Sequence, residues 1–285
     1  MSEPTAAPVI EPDTQAPRAS VPGAFHRNSN LTLELALTAF KLKYAGSALG
    51  YLWSLMKPLM IFGMMYLVFA VFLVGKRAPA SENFPVELLL AVIVWTFFAD
   101  ATMQAIVSIA TNGHMIRKAY FPRWILVLAS TLSAAMTLAI NLCLILAIGL
   151  PLGWFHLTIG VIALPFLFVE LYILVLGIGL LLSALFVFYR DISHVWEIMM
   201  QLLFYASCIV FPFSIVPKRW QPWAALNPMA QLIEDMRRAV VTTQIRWTAQ
   251  ILGWWVFVPL LGVAFVFGLG VFVFRKLTPR FGEAL

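Results

Sequence analysis

Side chains able to do chemistry are sparse and scattered along this chain. Four histidines, His26, His114, His156 and His194, stand apart, and none falls at metal-ligand spacing from another histidine, a cysteine or an acid. Cys143 and Cys208 both lie inside apolar runs, which predicts small core residues rather than a disulfide framework or a metal site. The phosphate-cradling pattern G-x-x-x-x-G-K-S/T does not occur; the only Gly-Lys, Gly75-Lys76, is followed by Arg77. Nucleotide energy, if the protein uses any, must come from another subunit.

The polar residues that stand out do so by their surroundings. Glu170 falls near the middle of a long apolar run, where a charge is costly and faces protein or water. Asp100 and Gln104 lie one helical turn apart in another. Each fits a polar patch on a substrate path or a gate, and each equally fits interhelical packing. Arg190 and Asp191, in Tyr189-Arg190-Asp191-Ile192-Ser193-His194, pair a cation with an acid at a run's edge; a partner contact, an internal clamp and a solvated ion pair all suit them.

The elements that must position these residues follow from composition. Of 285 residues, 62% are hydrophobic and only 11% charged, with a mean hydropathy of +0.90. Soluble domains carry about 25% charged residues, so a soluble enzyme, a nucleic-acid binder and a disordered chain are excluded in favour of an all-α integral membrane protein. Its net charge of +6 falls in the gaps between apolar runs, where it speaks to topology and anionic lipid.

Residues 1–29, with Pro4, Pro8, Pro12, Pro17 and Pro22 and no apolar stretch after Met1, read as a disordered cytoplasmic tail rather than a signal peptide. Residues 30–50 read as an amphipathic interface helix, with Leu33, Leu37, Phe40 and Tyr44 on one face and Lys41 and Lys43 as cationic heads. Six spans are expected within 51–276, at about 52–74, 88–109, 124–150, 157–189, 195–216 and 251–274. A short tail, 277–285, follows. An even number of spans places both termini on one side, and 12 of the 19 basic residues share that side, so the positive-inside rule makes it cytoplasmic.

Two connecting segments are too structured for plain loops. Residues 111–123 run Thr111-Asn112-Gly113-His114-Met115-Ile116-Arg117-Lys118-Ala119-Tyr120-Phe121-Pro122-Arg123, a short capped helix stopped by proline. Met115, Ile116, Ala119 and Tyr120 would form an apolar knob beside Arg117 and Lys118, suited to a groove on a cytoplasmic partner; a basic loop that merely sets topology is the competing interpretation. Residues 217–247 hold Trp220, Trp223 and Trp247 and a helix opened by Asn227-Pro228, with Glu234 in reach of Arg237 or Arg238. Too polar for a span, this segment reads as re-entrant helices between spans five and six. The remaining tryptophans mostly mark span ends, as an aromatic belt, with sugar stacking an alternative for some. Gly46 and Gly50, Gly149 and Gly153, and Ala264 and Gly268 are small pairs able to let helices approach.

In this order, Phe40 to Trp53 followed by Pro58, Asn112 to Pro122, Tyr189-Arg190-Asp191-Ile192, Leu226-Asn227-Pro228 and Phe274-Arg275-Lys276 resemble the membrane subunit of bacterial ABC exporters of lipid-linked polysaccharide, the permeases for O-antigen, capsule and wall teichoic acid. The resemblance covers the chain from about residue 30 to its end. It implies a homodimer in the cytoplasmic (inner) membrane, two copies of a separate ATPase that carries the ATP and Mg, a polyprenyl-diphosphate-linked glycan as substrate, surrounding membrane lipids, and no nucleic acid. It further implies that the amphipathic helix, with Lys41 and Lys43, and the segment with Asn112, Met115, Ile116, Arg117, Lys118, Tyr120 and Phe121 meet the ATPase. Trp220, Trp223, Asn227, Arg237 and Arg238 would then shape the outer gate. A drug or small-lipid exporter permease, a proton-coupled flippase using Glu170 or Asp100, and a membrane transferase are the competing expectations. The transferase is disfavoured because no acids or histidines cluster at a span end.

Overall fold

The structure, a computed structural model, describes residues 24–47, 50–69, 83–113, 122–155, 159–213 and 216–281, with side chains from residue 28 onward. Among these residues every regular element is helical. Helix α1 spans Ala24–Tyr44, α2 Leu52–Tyr66, α3 Phe84–Thr111, α4 Trp124–Gly149, α5 Leu164–Phe188 and α6 Ile192–Ala206. The short α7, Gln221–Ala225, is followed by α8, Pro228–Val240, and by α9, Thr248–Leu252. Helix α10, Phe257–Leu277, closes the order, and 3-10 turns precede α5 and flank α10.

Among the described residues, five helical stretches are long and apolar enough to cross a bilayer: Leu52–Phe69, Phe84–Thr111, Trp124–Gly149, Ile159–Phe188 and Thr248–Arg280. They coincide with five of the six expected spans, although residues 70–74 of the first lie outside the described residues. The expected fifth span, 195–216, is helical only through Ala206. Fifteen helical residues rise about 22 Å, short of the roughly 30 Å hydrocarbon layer. The helix stops because its exit is claimed by other elements. Asn227 Nδ2 donates to the carbonyl of Ala206, and Cys208 turns the chain with a φ of 52°.

Helix α3 is the hub, packed against α2, α4 and α5. Of its most apolar stretch 83% is buried, against 11% for that of α2. Helices α5 and α10 make the closest pairing. A Cβ on Gly177 would come within 2.6 Å of Phe267 Cα, and one on Gly270 would run into the carbonyl of Gly177. With no hydrophobic drive between helices in lipid, such backbone proximity is what holds them. The small pairs singled out in the sequence do other work. Gly46, Gly50 and Gly153 have φ of 75°, 48° and 70° and serve turns, Gly149 abuts the Phe155 ring, and Gly268 faces open space.

Helix α1 lies along α4 through Thr32, Ala36 and Phe40, which are buried, while Leu33, Leu37 and Leu42 are exposed. The expected face of Leu33, Leu37, Phe40 and Tyr44 is therefore divided: Phe40 joins the protein seam and the leucines remain outside it. At the far end of the chain, Phe281 is fully buried against Phe188 and Phe274. Arg123, at the start of α4, donates to the carbonyl of Thr278 and lies over the Phe281 ring, so the chain stays packed through residue 281.

Candidate functional site: polar clusters around α8 and α3

Helix α8 collects the densest set of buried polar groups. Asn227 caps it, accepting from the Met229 N–H at 3.0 Å, and Pro228 occupies the first turn, where a missing N–H costs nothing. The apolar positions Met229, Leu232, Ile233, Met236 and Val240 are buried, and so are Gln231, Glu234, Asp235 and Arg237. A helix buried on both its apolar and its polar faces needs partners for every charge, and two networks supply them.

The first centres on Arg237, 1% exposed. It donates to Glu234 Oε2 at 3.0 Å, to the carbonyls of Cys208 at 3.1 Å and Ile209 at 2.6 Å, and to that of Glu87 on α3 at 3.2 Å. Glu234 Oε1 accepts from the Phe213 N–H at 3.2 Å. The ion pair thus ties α8 to the start of α3 and to the irregular segment after α6. Asn227 adds a bond to Ser207 Oγ at 3.3 Å. The second network joins α8 to α5 and α9. Gln231 Nε2 donates to Glu170 Oε2 at 3.5 Å and to Asp235 Oδ2 at 3.3 Å, while Asp235 Oδ1 accepts the Thr248 N–H at 2.7 Å. Glu170 Oε1 and Gln231 Oε1 are buried without a partner among the described residues. Burial pushes the carboxyls of Glu234 and Asp235 above the usual carboxylate range. The Arg237 charge opposes this for Glu234, and the Thr248 N–H and Gln231 oppose it for Asp235.

Asp100 sits elsewhere, on α3, and pairs with Lys57 of α2 at 2.6 Å. Two residues on, Trp196 of α6 donates to Thr102 at 3.0 Å. Arg190 and Asp191 do not pair with each other; both are exposed, and the Arg190 guanidinium lies over the Phe186 ring at 5.1 Å. Trp220 and Trp223 are exposed, with Arg219 over the Trp220 ring at 5.2 Å. Lys41 and Lys43 are exposed on α1. Arg238 is half-buried, with Nη1 unpartnered among the described residues. Asn112 closes α3, its amide donating to the Ser108 carbonyl at 2.8 Å. Met115, Ile116, Arg117, Lys118, Tyr120 and Phe121 lie outside the described residues. The structure therefore gathers Asn227, Arg237 and, through Gln231, Glu170 around one helix, sets Asp100 apart against Lys57, and leaves Trp220 and Trp223 exposed.

Two features escape a reading of the sequence alone. Gln231 bridges two acids, and a polar stripe of His194, Glu197, Gln201 and Tyr205 runs along the exposed face of α6. The stripe's spacing of three and four residues was available as a signal. The cysteines also differ from expectation: Cys143 is exposed on α4 and Cys208 is half-buried in a turn. Trp95, expected near a span end, is buried within α3 against Phe98 and Phe204.

Long apolar helices packed around a nearly wholly buried hub define a multi-pass membrane protein, and among the described residues no group of acids, histidines and cysteines could hold a metal. The chain belongs to the ABC-2 type transporter family, whose model matches residues 31–241. It is similar to the O-antigen export system permease protein RfbA of Klebsiella pneumoniae, 23% identical over 250 residues that cover 86% of this chain and 91% of that one. It also resembles RfbA of Myxococcus xanthus, 25% identical over 71% of this chain and 77% of that one. The polysialic acid transport protein KpsM of Escherichia coli is 24% identical over 73% of this chain and 80% of its own.

Proposed function

We propose that this chain is the permease subunit of an ATP-driven exporter that carries a polyprenyl-diphosphate-linked cell-envelope polysaccharide across the cytoplasmic membrane. The observation that carries this is the family match across residues 31–241, joined by relatives named for O-antigen export and for polysialic acid transport. The absence of a phosphate-binding loop from the sequence accords with it, since the motor then resides on a partner that binds ATP and Mg.

In this proposal two copies of the chain pair with two ATPases, and both termini face the cytoplasm. Residues 30–50 lie at the interface as an amphipathic helix, α6 together with the irregular stretch after it makes the sixth span within 51–276, and 217–247 re-enters from the outer side. Residues 1–29 and 277–285 are cytoplasmic tails. Asn112, Met115, Ile116, Arg117, Lys118, Tyr120 and Phe121, with Lys41 and Lys43, receive the ATPase stroke, and Arg190 and Asp191 act at the same face. Trp220, Trp223, Asn227, Arg237 and Arg238 shape the outer gate, while Glu170 contributes a polar point along the path and Asp100, paired with Lys57, acts in gating. ATP binding shifts the population between closed and conducting arrangements by favouring one of them.

Deleting the gene is expected to leave lipid-linked glycan on the inner face of the membrane, and the wild-type chain to restore export. Ile116→Glu and Tyr120→Glu are each expected to reach the membrane, retain ATP hydrolysis by the partner and lose export. Normal export from both variants would overturn the coupling role, and an unchanged glycan distribution in the deletion strain would overturn the substrate class.

A further inference from the structure

A cavity of about 270 Å³ opens where α1, α2, α3 and α4 meet. Its polar wall carries Lys43, Lys57, Asp100, Ser54, Thr137 and Asn141, and Phe97 and Leu138 are part of an apolar floor. We propose that this cavity holds the phosphate headgroup of one anionic phospholipid, such as phosphatidylglycerol, as a bound lipid of the permease.

Charge is the first argument. Two lysines and one carboxylate line the cavity, so the wall keeps one positive charge after Lys57 has bonded Asp100 at 2.6 Å, with the Lys43 ammonium over the Tyr44 ring. An ammonium has three donors, and Asp100 uses one of those on Lys57. The acid therefore fixes the amine at the wall, where the Lys57 side chain is still 56% exposed, and its remaining donors stay available for phosphate oxygens. Basic pockets between membrane helices are where anionic headgroups lodge.

Depth and size are the second. Lys57 lies five residues after the start of α2, about 8 Å along the axis. Tyr51 and Trp53 are exposed at that helix start, as aromatic rings are at headgroup level. Ligand pockets for drug-sized molecules run from about 300 to 1,000 Å³. A cavity just under that range accepts a headgroup and excludes a run of sugars, and its apolar floor suits the adjoining glycerol and first methylenes.

The wall is also built in advance. Ser54 Oγ donates to Asn141 Oδ1 at 2.9 Å, and Asn141 Nδ2 returns a bond to the Ser54 carbonyl at 3.3 Å. Tyr44 and Thr137 hydroxyls lie 3.5 Å apart across α1 and α4. The elbow that brings Lys43 over the cavity is set by Gly46 and Gly50 and by the Tyr51 ring, packed on Phe40 at 5.1 Å and on Tyr44 at 5.0 Å. Little ordering is left for the ligand to impose.

The same chemistry is presented by the diphosphate of a lipid-linked cargo, and the test separates the two sources. The full chain is placed in phosphatidylcholine nanodiscs doped with phosphatidylglycerol, and retained lipid is measured by native mass spectrometry. One phosphatidylglycerol per chain is expected to stay bound, with affinity about thirtyfold lower in Lys43→Gln/Lys57→Gln and unchanged in Lys276→Gln, a basic residue at the end of α10. Equal retention by the double variant, or equal loss in Lys276→Gln, would overturn the site. Should the double variant not fold, Asp100→Asn decides: tighter retention supports the site, and unchanged or weaker retention overturns it. Displacement of phosphatidylglycerol by a short prenyl diphosphate at equal concentration would reassign the cavity to cargo and overturn the bound-lipid proposal. None of these readouts uses export, so they stand apart from the fate of the proposed function.

Discussion

Arg237 shows how much one side chain can organise. Its guanidinium, on a side chain 1% exposed, serves Glu234 and three backbone carbonyls drawn from α3 and from the segment after α6. Breaking a buried pair by removing one partner costs about 3–5 kcal/mol, because the remaining charge is left desolvated. Arg237→Ala is therefore expected to lower the thermal unfolding midpoint in detergent sharply, with Glu234→Gln less harmful because it keeps an acceptor for Arg237 and for the Phe213 N–H. Unfolding at the wild-type temperature in Arg237→Ala would show that the carbonyls find other donors. The sequence revealed the local half of this arrangement: the Asn227-Pro228 start and the nearness of Glu234 to Arg237. The distant half was hidden, since every residue has a carbonyl and no side-chain type announces which ones will accept.

For the helices, hydropathy carried most of the way. All six expected spans are apolar runs of 22 residues or more, and five of them appear among the described residues as helices with sufficient apolar length. The stretch after Ala206 is just as apolar, yet it turns away because Asn227 and Arg237 take its carbonyls, a tertiary effect that hydropathy does not register. Close packing was equally hard to foresee. Spacing of small residues drew attention to Gly46 and Gly50, which are turn residues, whereas the intimate contact is Gly177 on Gly270, nearly a hundred residues apart. Gly270→Ala is expected to cost about 1–3 kcal/mol by forcing α5 and α10 apart, while Gly268→Ala, with nothing within 4 Å, should be neutral. Paired thermal unfolding measurements of the two variants check this; equal midpoints would contradict the packing.

Over the whole molecule, the class of protein was readable because composition alone forces a membrane setting, and the order of segments narrowed it to the family that the match over residues 31–241 establishes. Residue roles were less readable. Glu170 and Asp100 looked alike in sequence, each a lone acid in an apolar run, yet one meets Gln231 beside α8 and the other meets a lysine on α2. Burial is uneven too. Helix α3 is almost wholly enclosed, α2 is barely covered, and α6 leaves Val195, Ile198, Leu202 and Tyr205 bare.

That unevenness bears on motion. With their backbones riveted at Gly177 and Gly270, α5 and α10 travel as a single plank, and no rocking can open a gap between them without tearing that contact. Sparsely anchored helices slide at far lower cost, which leaves α2 and α6 as the moving rails. Spin labels spanning α5 and α10 should keep their separation when the partner ATPase is loaded, and labels spanning α2 and α3 should not; the reverse pattern would put the hinge inside the plank.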